Sequence, residues 1–397
     1  MESAITTSLP LSADLVVIGG GVLGAATAFY ASRANLRTVV IERRPLLCTL
    51  TTPVAAGGFR AQFDNPEETA LARESIATFD NFAEVAALPG YDLHLQKQGY
   101  LFVTTNVATA RRQAERIARQ HAWGVDDAEL LSGSEARYRF PYLGQDIVSA
   151  RFRAGDGFLD PKRLTYGYAR ASDARFVVAT SATGFRLAGG KIQGVVTDRG
   201  EIATDAVVIA AGPFSGVVAR WAGLDLGVTA VRRNKVILPD VPDVPADAPF
   251  VIDEDNGAHW RPAFRGALLV FTDPATPPAE PSWDVSADHD FPFLLLDPSS
   301  AHTVARACPF WGKVWARGTD SWYLQAGQYT YTHDHRPLLG PTAVPGLHLN
   351  VGYSGHGVMG SAGGSRRVID LLLGRADAVS NPFRYDRPVT HQTFDVI

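Results

Sequence analysis

Cysteine is scarce in this sequence: Cys48 and Cys308 are the two among 397 residues. They allow at most one disulfide and exclude a Cys-rich metal framework, which points to a reducing compartment. An excess of basic charge is also missing. Lys and Arg number 37 against 41 Asp and Glu, a formal charge of −4, so no nucleic-acid partner is expected. No apolar run reaches the ~18–20 residues of a membrane-spanning helix, and no membrane span is expected. Residues 1–13 lack both a basic start and a long apolar stretch. They read as a short disordered lead rather than a signal peptide, making a cytoplasmic location the expectation. Internal repeats and extended low-complexity segments are absent as well.

What is present is apolar material. Hydrophobic residues make up 46% of a chain too long for one ordinary domain, so two intimately packed domains are expected. The most informative stretch is residues 14–44, DLVVIGGGVLGAATAFYASRANLRTVVIERR. The run Leu15-Val-Val-Ile18 suits a buried parallel strand. A G-x-G-x-x-G turn follows (Gly19, Gly21, Gly24), then a small-residue helical segment over 25–34, then a second buried strand, Thr38-Val-Val-Ile41. Gly19 permits the tight turn, Gly21 lets the backbone approach a pyrophosphate, and Gly24 lets helix and strand pack closely. The helix N-terminus offers N–H groups and a positive dipole end to phosphate. Glu42 lies 18 residues after Gly24, near the spacing of about 20 at which a carboxylate accepts from ribose hydroxyls. An adenine dinucleotide with a free 2′-hydroxyl is the expected ligand. Arg43 and Arg44 would suit a 2′-phosphate, which Glu42 would repel. They read as a solvated face or loop anchor, with Arg43 at the edge of the cofactor site.

Two later segments bear on which dinucleotide. GEIATDAVVIAAGPFSG (200–216) is an apolar strand running into a glycine turn at Gly212. Near the end, a strand over 347–351, a glycine turn over 352–360 and an amphipathic helix to about residue 373 supply a second helix N-terminus to aim at a ligand. Aimed at a flavin, that dipole would stabilise negative charge on its pyrimidine edge. The segments VVIGGGVLGAATAFY, AAGGFRAQFDNPE, GDGFLDPKRL, AVVIAAGPFSG, THDHRPLLGP and GYSGHGVMGSAGG together resemble the FAD-dependent D-amino acid oxidase superfamily. Within it they are most similar to the branch of sarcosine oxidases and dehydrogenases, dimethylglycine dehydrogenase and the L-proline dehydrogenase catalytic subunit.

The resemblance implies an α/β fold in which a Rossmann-like FAD-binding domain (1–95, 150–225, 325–397) is interleaved with a smaller substrate domain (96–149, 226–324). Pro/Asp-rich stretches at 239–249 and 273–282 favour an antiparallel sheet with long connections in the second insertion. Residues 107–120, VATARRQAERIARQ, form an amphipathic helix whose arginines read as a solvated face.

It also implies flavin chemistry: a hydride equivalent passes from the carbon beside the amine nitrogen to flavin N5, giving an imine. Site residues are therefore sought around the flavin. Gly57 and Gly58 precede Arg60 in a loop that passes near the flavin in relatives. Two readings stand for Arg60, a fork on a substrate carboxylate or a structural salt bridge. Tyr329 falls where relatives place a substrate-site tyrosine; the other reading is a buried aromatic with its hydroxyl satisfied. Gly355, His356, Gly357, Val358 and Met359 should line the flavin, with a base role for His356 the lesser reading. His333 and His335 have no third ligand, so no metal is expected.

Three departures from the family pattern carry information. Gly327 and Val54 stand where relatives attach FAD through Cys or His, so FAD is expected to be non-covalent, with Cys48 the nearby thiol. Leu268 and Leu269 occupy the strand that carries an oxygen-activating lysine in sarcosine oxidases, leaving only a more distant Lys235. Met359 replaces a carboxylate-binding lysine. The expected partners are a small amine or N-alkyl or cyclic amino acid, and O2 or an electron-transfer acceptor. A dehydrogenase is favoured over an oxidase, and no folate-binding extension follows to capture one-carbon product. The alternatives are an FAD-bound scaffold protein, or a tailoring oxidase using Tyr100, Trp260 and Trp322 as an apolar pocket for a bulky ring.

Overall fold

Four-residue runs of Leu, Ile, Val and Thr build the centre of the molecule. In the computed structural model, which describes residues 5–318 and 321–388, strands Leu15–Ile18 and Thr38–Ile41 are buried at every position. They pair in parallel and are joined by helix Val22–Arg33, the expected βαβ unit. Val207–Ile209 pairs on the other side of Leu15–Ile18, and Leu347–Val351 pairs beyond it, both in parallel. Such continuous apolar strands belong in a parallel sheet covered on both faces. Helices Val22–Arg33, Pro66–Asp80, Pro161–Arg170 and Ser361–Leu372 cover one face. A small antiparallel sheet (Ala182–Ala188, Lys191–Thr197, Gly200–Ala203) and helix Ser215–Arg220 cover the other.

The amino-terminal segment departs from expectation. Ile5–Thr6 extends the sheet by pairing in parallel with Phe176–Val177, and Ala13 N–H donates to Ala203 O at 3.0 Å. Leu9 and Ala13 pack on the covering sheet. A β-branched pair that covers an open strand edge is held rather than disordered; residues 1–4 of the expected lead lie outside the described residues.

The second layer is a nine-stranded sheet. It runs through Thr229–Leu238, Gly266–Phe271, Ala258–Ala263, Phe250–Asp253, Tyr100–Thr104, Ser149–Arg153 and Glu129–Ser132. Tyr323–Tyr331 and the two-residue strand Pro278–Ala279 also pair with Thr229–Leu238. All pairings are antiparallel except Phe250–Asp253 on Tyr100–Thr104. Ser149–Arg153 and Tyr323–Tyr331 both belong to this sheet, so the chain crosses between layers a few residues later than at 150 and 325. The turn at Gly155–Asp156–Gly157 marks the first crossing.

Strand alternation gives this sheet two different faces. Leu101, Val251, Trp260, Leu269 and Val236 point into a core with Trp311. Burying each of these tryptophans removes enough apolar surface to contribute roughly 4–6 kcal/mol. The alternate residues Tyr100, Phe102, Phe250 and Ile252 pack with Phe158 and Ala56, against the chain that leads into Gly57 and Gly58. Helix Val107–Ala122 lies outside, its arginines largely solvated as expected, except that Arg116 turns in to Glu254 Oε1 at 2.8 Å. Among the described residues no helix is long and apolar enough to cross a membrane.

Candidate functional site

The glycine turn is shaped by contacts that leave no room for side chains. Gly19 has φ +115°, and a Cβ on Gly24 would lie 1.8 Å from Gly19 O. Only glycine allows both the positive φ and the close approach of helix to turn. A Cβ on Gly21 would meet only Thr52 Oγ1, at 3.3 Å. Gly21 caps helix Val22–Arg33 without a side-chain hydrogen bond; Val22 N–H donates to Thr52 Oγ1 at 3.3 Å. Glu42 accepts from Gly20 N–H through Oε2 and from Arg44 N–H through Oε1, both at 2.8 Å. Burial raises its pKa, and these backbone donors oppose the shift.

A cleft of about 400 Å³ runs from this turn along the edge of the parallel sheet. Of the residues expected at the site, Gly19, Gly21, Glu42, Arg43, Gly212, Tyr329, Gly355, Gly357 and Val358 line it. The others sit behind its walls. Gly24 lies beneath the turn, and Met359 is buried in the core on the helical side of the parallel sheet. Gly57, with φ +75°, abuts Leu159 O, and Gly58 abuts the Tyr100 hydroxyl, so both set packing distances rather than line the cleft.

Arg60 and His356 form a buried cluster. Arg60 is 2% exposed. It donates to Gln62 O and faces His356 Nε2 at 3.5 Å, with its guanidinium carbon 4.8 Å from the Phe63 ring centre and 5.3 Å from that of Phe102. No carboxylate oxygen lies within 4 Å of it among the described residues, so the salt-bridge reading is not met. His356 stands edge-on to Phe63, and its Nδ1 is 3.8 Å from Glu68 Oε1.

Several lining residues escaped the sequence reading. Trp283 stacks on Phe214 with ring centres 3.7 Å apart, and Arg43 lies over its other contact surface at 4.5 Å. The backbone around it is tied down: Arg44 donates to Trp283 O at 2.5 Å, and Gln328 bonds both Ser282 N–H and Glu280 O. A tryptophan beside a Pro-rich loop gives no periodic signal, so this cover was not legible. Thr51 and Thr52 were findable, since Thr-Thr-Pro after an apolar stretch is a helix-start pattern. Thr51 Oγ1 donates to Gln328 O at 2.9 Å.

The remaining expectations sort as follows. Tyr329 is packed over Gly355, and burial pushes its hydroxyl pKa up to about 12. Lys235 lines a small cavity with Val54, Gly327 and Tyr329. Of the three aromatics proposed for a bulky-ring pocket, Trp260 points into the opposite core and Trp322 packs beside Phe293; Tyr100 alone faces the cofactor layer. Cys48 is buried and its thiol pKa is pushed up to about 11 by desolvation. His333 and His335 flank Asp334, whose carboxylate is engaged by Arg387 at 2.6 and 2.8 Å, and no group of three or more metal-ligating side chains occurs among the described residues.

These features, a dinucleotide turn and a long cleft meeting a second, antiparallel layer, are those of a flavoprotein oxidoreductase. The family model for FAD-dependent oxidoreductases (DAO) matches residues 14–371, and the chain belongs to that family; its cofactor is FAD. FAD-dependent oxidoreductase domain-containing protein 1 of Bos taurus is 27% identical over 426 residues, covering 95% of this chain and 85% of that protein. Mitochondrial sarcosine dehydrogenase of Homo sapiens is 26% identical over 382 residues, covering 92% of this chain but only 40% of that longer protein. Among solved structures, L-proline dehydrogenase from P. horikoshii shares the fold with a TM-score of 0.81 at 22% identity, covering 94% of this chain and 96% of that one.

The residues present fit FAD. The Gly19–Gly24 cradle would be filled by any side chain, and the capless helix N-terminus at Gly21 opens on the cleft beside the Glu42 carboxylate.

Proposed function

We propose that this protein oxidises the C–N bond of a small amine or of an N-alkyl or cyclic amino acid, yielding an imine. FAD, when bound, supplies the two-electron acceptor for the hydride equivalent that leaves the carbon beside nitrogen. The observation that carries the reading is Tyr329, which borders both the long cleft and the small cavity under the antiparallel sheet. A substrate seated in the cleft beside Tyr329 would lie between its cofactor end and the sheet that carries Lys235.

The chain's own residues then have separable roles. Gly19, Gly21, Gly24, Glu42, Arg43 and Gly212 hold the dinucleotide, and Gly355, Gly357 and Val358 bring backbone to its flavin end. Trp283 covers the cleft. The raised pKa of Tyr329 keeps its hydroxyl protonated at neutral pH, a donor for orienting substrate rather than a base. Arg60 and His356 act as a positioning pair that fixes the turn before helix Ser361–Leu372. Gly57 and Gly58 set the spacing between that pair and Tyr100, and Met359 anchors the turn in the core. With Gly327 and Val54 at the attachment positions and the Cys48 thiol held protonated, FAD binds non-covalently. The nucleotide-binding segments 1–95, 150–225 and 325–397 and the substrate segments 96–149 and 226–324 keep this division of labour, apart from the two strands that join the antiparallel sheet.

The test is anaerobic titration of the purified yellow protein with N-methyl, cyclic and simple amino acids. Loss of the flavin band near 450 nm (about the free-flavin value) with one class supports the reading. A yellow protein that no amine bleaches overturns it and leaves FAD as a structural part of the fold.

A further inference from the structure

The face of the antiparallel sheet that looks toward the cofactor layer carries cations that no carboxylate touches, Asp160 acting on them only from a distance. Register fixes which residues share it: His259 pairs with Val270, Val270 with Lys235, and Arg261 with Leu268. Because alternate residues point to opposite faces, Trp260 and Leu269 enter the tryptophan core while Lys235 and Arg261 face the other way. Lys235 is 5% exposed and its ammonium has no hydrogen-bond partner among the described residues. Its cavity, about 10 Å³ and lined also by Arg233 and Asn234, is shared with Tyr329, which also lines the cleft, so an anion would reach Lys235 from the cleft past Tyr329. Arg261 donates from Nε to Ala56 O and from one amino group to Pro262 O, each at 2.8 Å, which leaves its second amino group without a partner. No carboxylate oxygen lies within 4 Å of either side chain among the described residues.

Buried like charges without a counter-ion are costly, and the cost is removed by a ligand that brings negative charge and acceptor oxygens. Burial, and then the nearby Arg261 and Lys162, lower the Lys235 pKa to about 8 against the weaker pull of Asp160, so its charge is present at neutral pH and only partly compensated. Arg60, by contrast, is already engaged by Gln62 O, His356 and two rings. We propose that the substrate is an amine bearing a carboxylate, and that this carboxylate is held from the sheet by Lys235 with the free edge of Arg261, not by Arg60. The inference rests on the amine-oxidation reading for its substrate class, but the anion site can be tested without turnover.

The FAD-loaded protein is titrated with acetate, and with acetamide as the uncharged control, at constant ionic strength while the flavin absorption spectrum is recorded. The expected result is a saturable perturbation by acetate alone, weakened at least tenfold by Lys235→Met and retained by Arg60→Met. Acetate binding that survives Lys235→Met, or that disappears only in Arg60→Met, overturns the proposal. So does a Lys235→Met protein whose acetate affinity is unchanged while its reduced form reacts more slowly with O2. If Lys235→Met does not retain FAD, Arg261→Lys decides: a loss of threefold or more supports the site, and unchanged affinity overturns it. Acetate binding that depends on Lys235 in a protein bleached by no amine would keep the anion site and remove only the proposed reaction.

Discussion

The Arg60 guanidinium and the His356 ring, 296 residues apart in the chain, face each other across 3.5 Å in the interior. The Arg60 amino group is directed at Nε2, and the other ring nitrogen, Nδ1, lies 3.8 Å from Glu68 Oε1. The pair joins the loop after Gly57–Gly58 to the turn that ends the cleft. His356→Ala should therefore act on stability and geometry together. Leaving the buried guanidinium with fewer partners costs about 1–3 kcal/mol, read as a lower unfolding midpoint of the FAD-loaded protein, and amine turnover should fall with it. Unchanged stability would show that the contact does not position the turn.

Trp283 should control retention of the cofactor. Its ring contacts both Phe214 and Arg43, contacts that together contribute on the order of 1–2 kcal/mol beyond burial. Trp283→Ala is expected to weaken FAD binding by about tenfold, measured by the fluorescence of FAD released on dilution. Equal retention in mutant and wild type would dissociate Trp283 from the cofactor.

Two glycines of one turn should fail differently. Gly24→Ala drives a methyl to 1.8 Å from Gly19 O, a backbone clash that must distort the turn, whereas the Gly21 Cβ position has 3.3 Å to the flexible Thr52 hydroxyl. Gly24→Ala should lower apoprotein stability and FAD binding alike. Gly21→Ala should leave apoprotein unfolding nearly unchanged and still weaken FAD binding, because its methyl enters the cleft. Calorimetry of apoprotein and a flavin-binding titration separate the two.

Lys235 should mark the pH profile. Its pKa falls from 10.5 in the unfolded chain to about 8 in the fold, so the unfolded state binds more protons between those values. Stability contributed through this residue thus rises with pH from about 8 to 10.5 and is lowest below 8. Wild type should gain stability relative to Lys235→Met across that window, on the order of 2–3 kcal/mol, and Lys235→Met should be the more stable at pH 7. Parallel denaturant curves at pH 7, 9 and 10.5 test the sign; a constant difference between the two proteins would refute it.

The nucleotide half of the fold was legible because each element carries its own local signal: four-residue apolar strands, Gly19 to Gly24, and Glu42 at the right distance. The substrate half was less so. Its boundaries slipped at Ser149–Arg153 and Tyr323–Tyr331 because a strand's sheet membership is set by its partner, not by its own sequence. Arg60 and His356 stood out in the sequence as separate site candidates, yet that they face each other is a tertiary fact. That Lys235 shares a cavity with Tyr329 is likewise a tertiary fact. It follows from register across strands, which sets Lys235 opposite Val270, and no pattern within either strand announces it. Trp283 had no pattern at all.

The order of strands in the parallel sheet has a consequence for how the protein is made. The glycine turn is synthesised some 330 residues before its neighbours across the cleft, Gly355 to Val358. Leu347–Val351 must dock beside Val207–Ile209 before that wall exists, and such distant pairing is slow because its loop-closure cost comes first. On the ribosome, the emerging chain therefore presents half a binding site, with apolar strand edges open. FAD can be captured in its final setting only after the Gly355–Val358 turn has emerged and docked, so cofactor supply at that moment should set the yield of correctly folded protein.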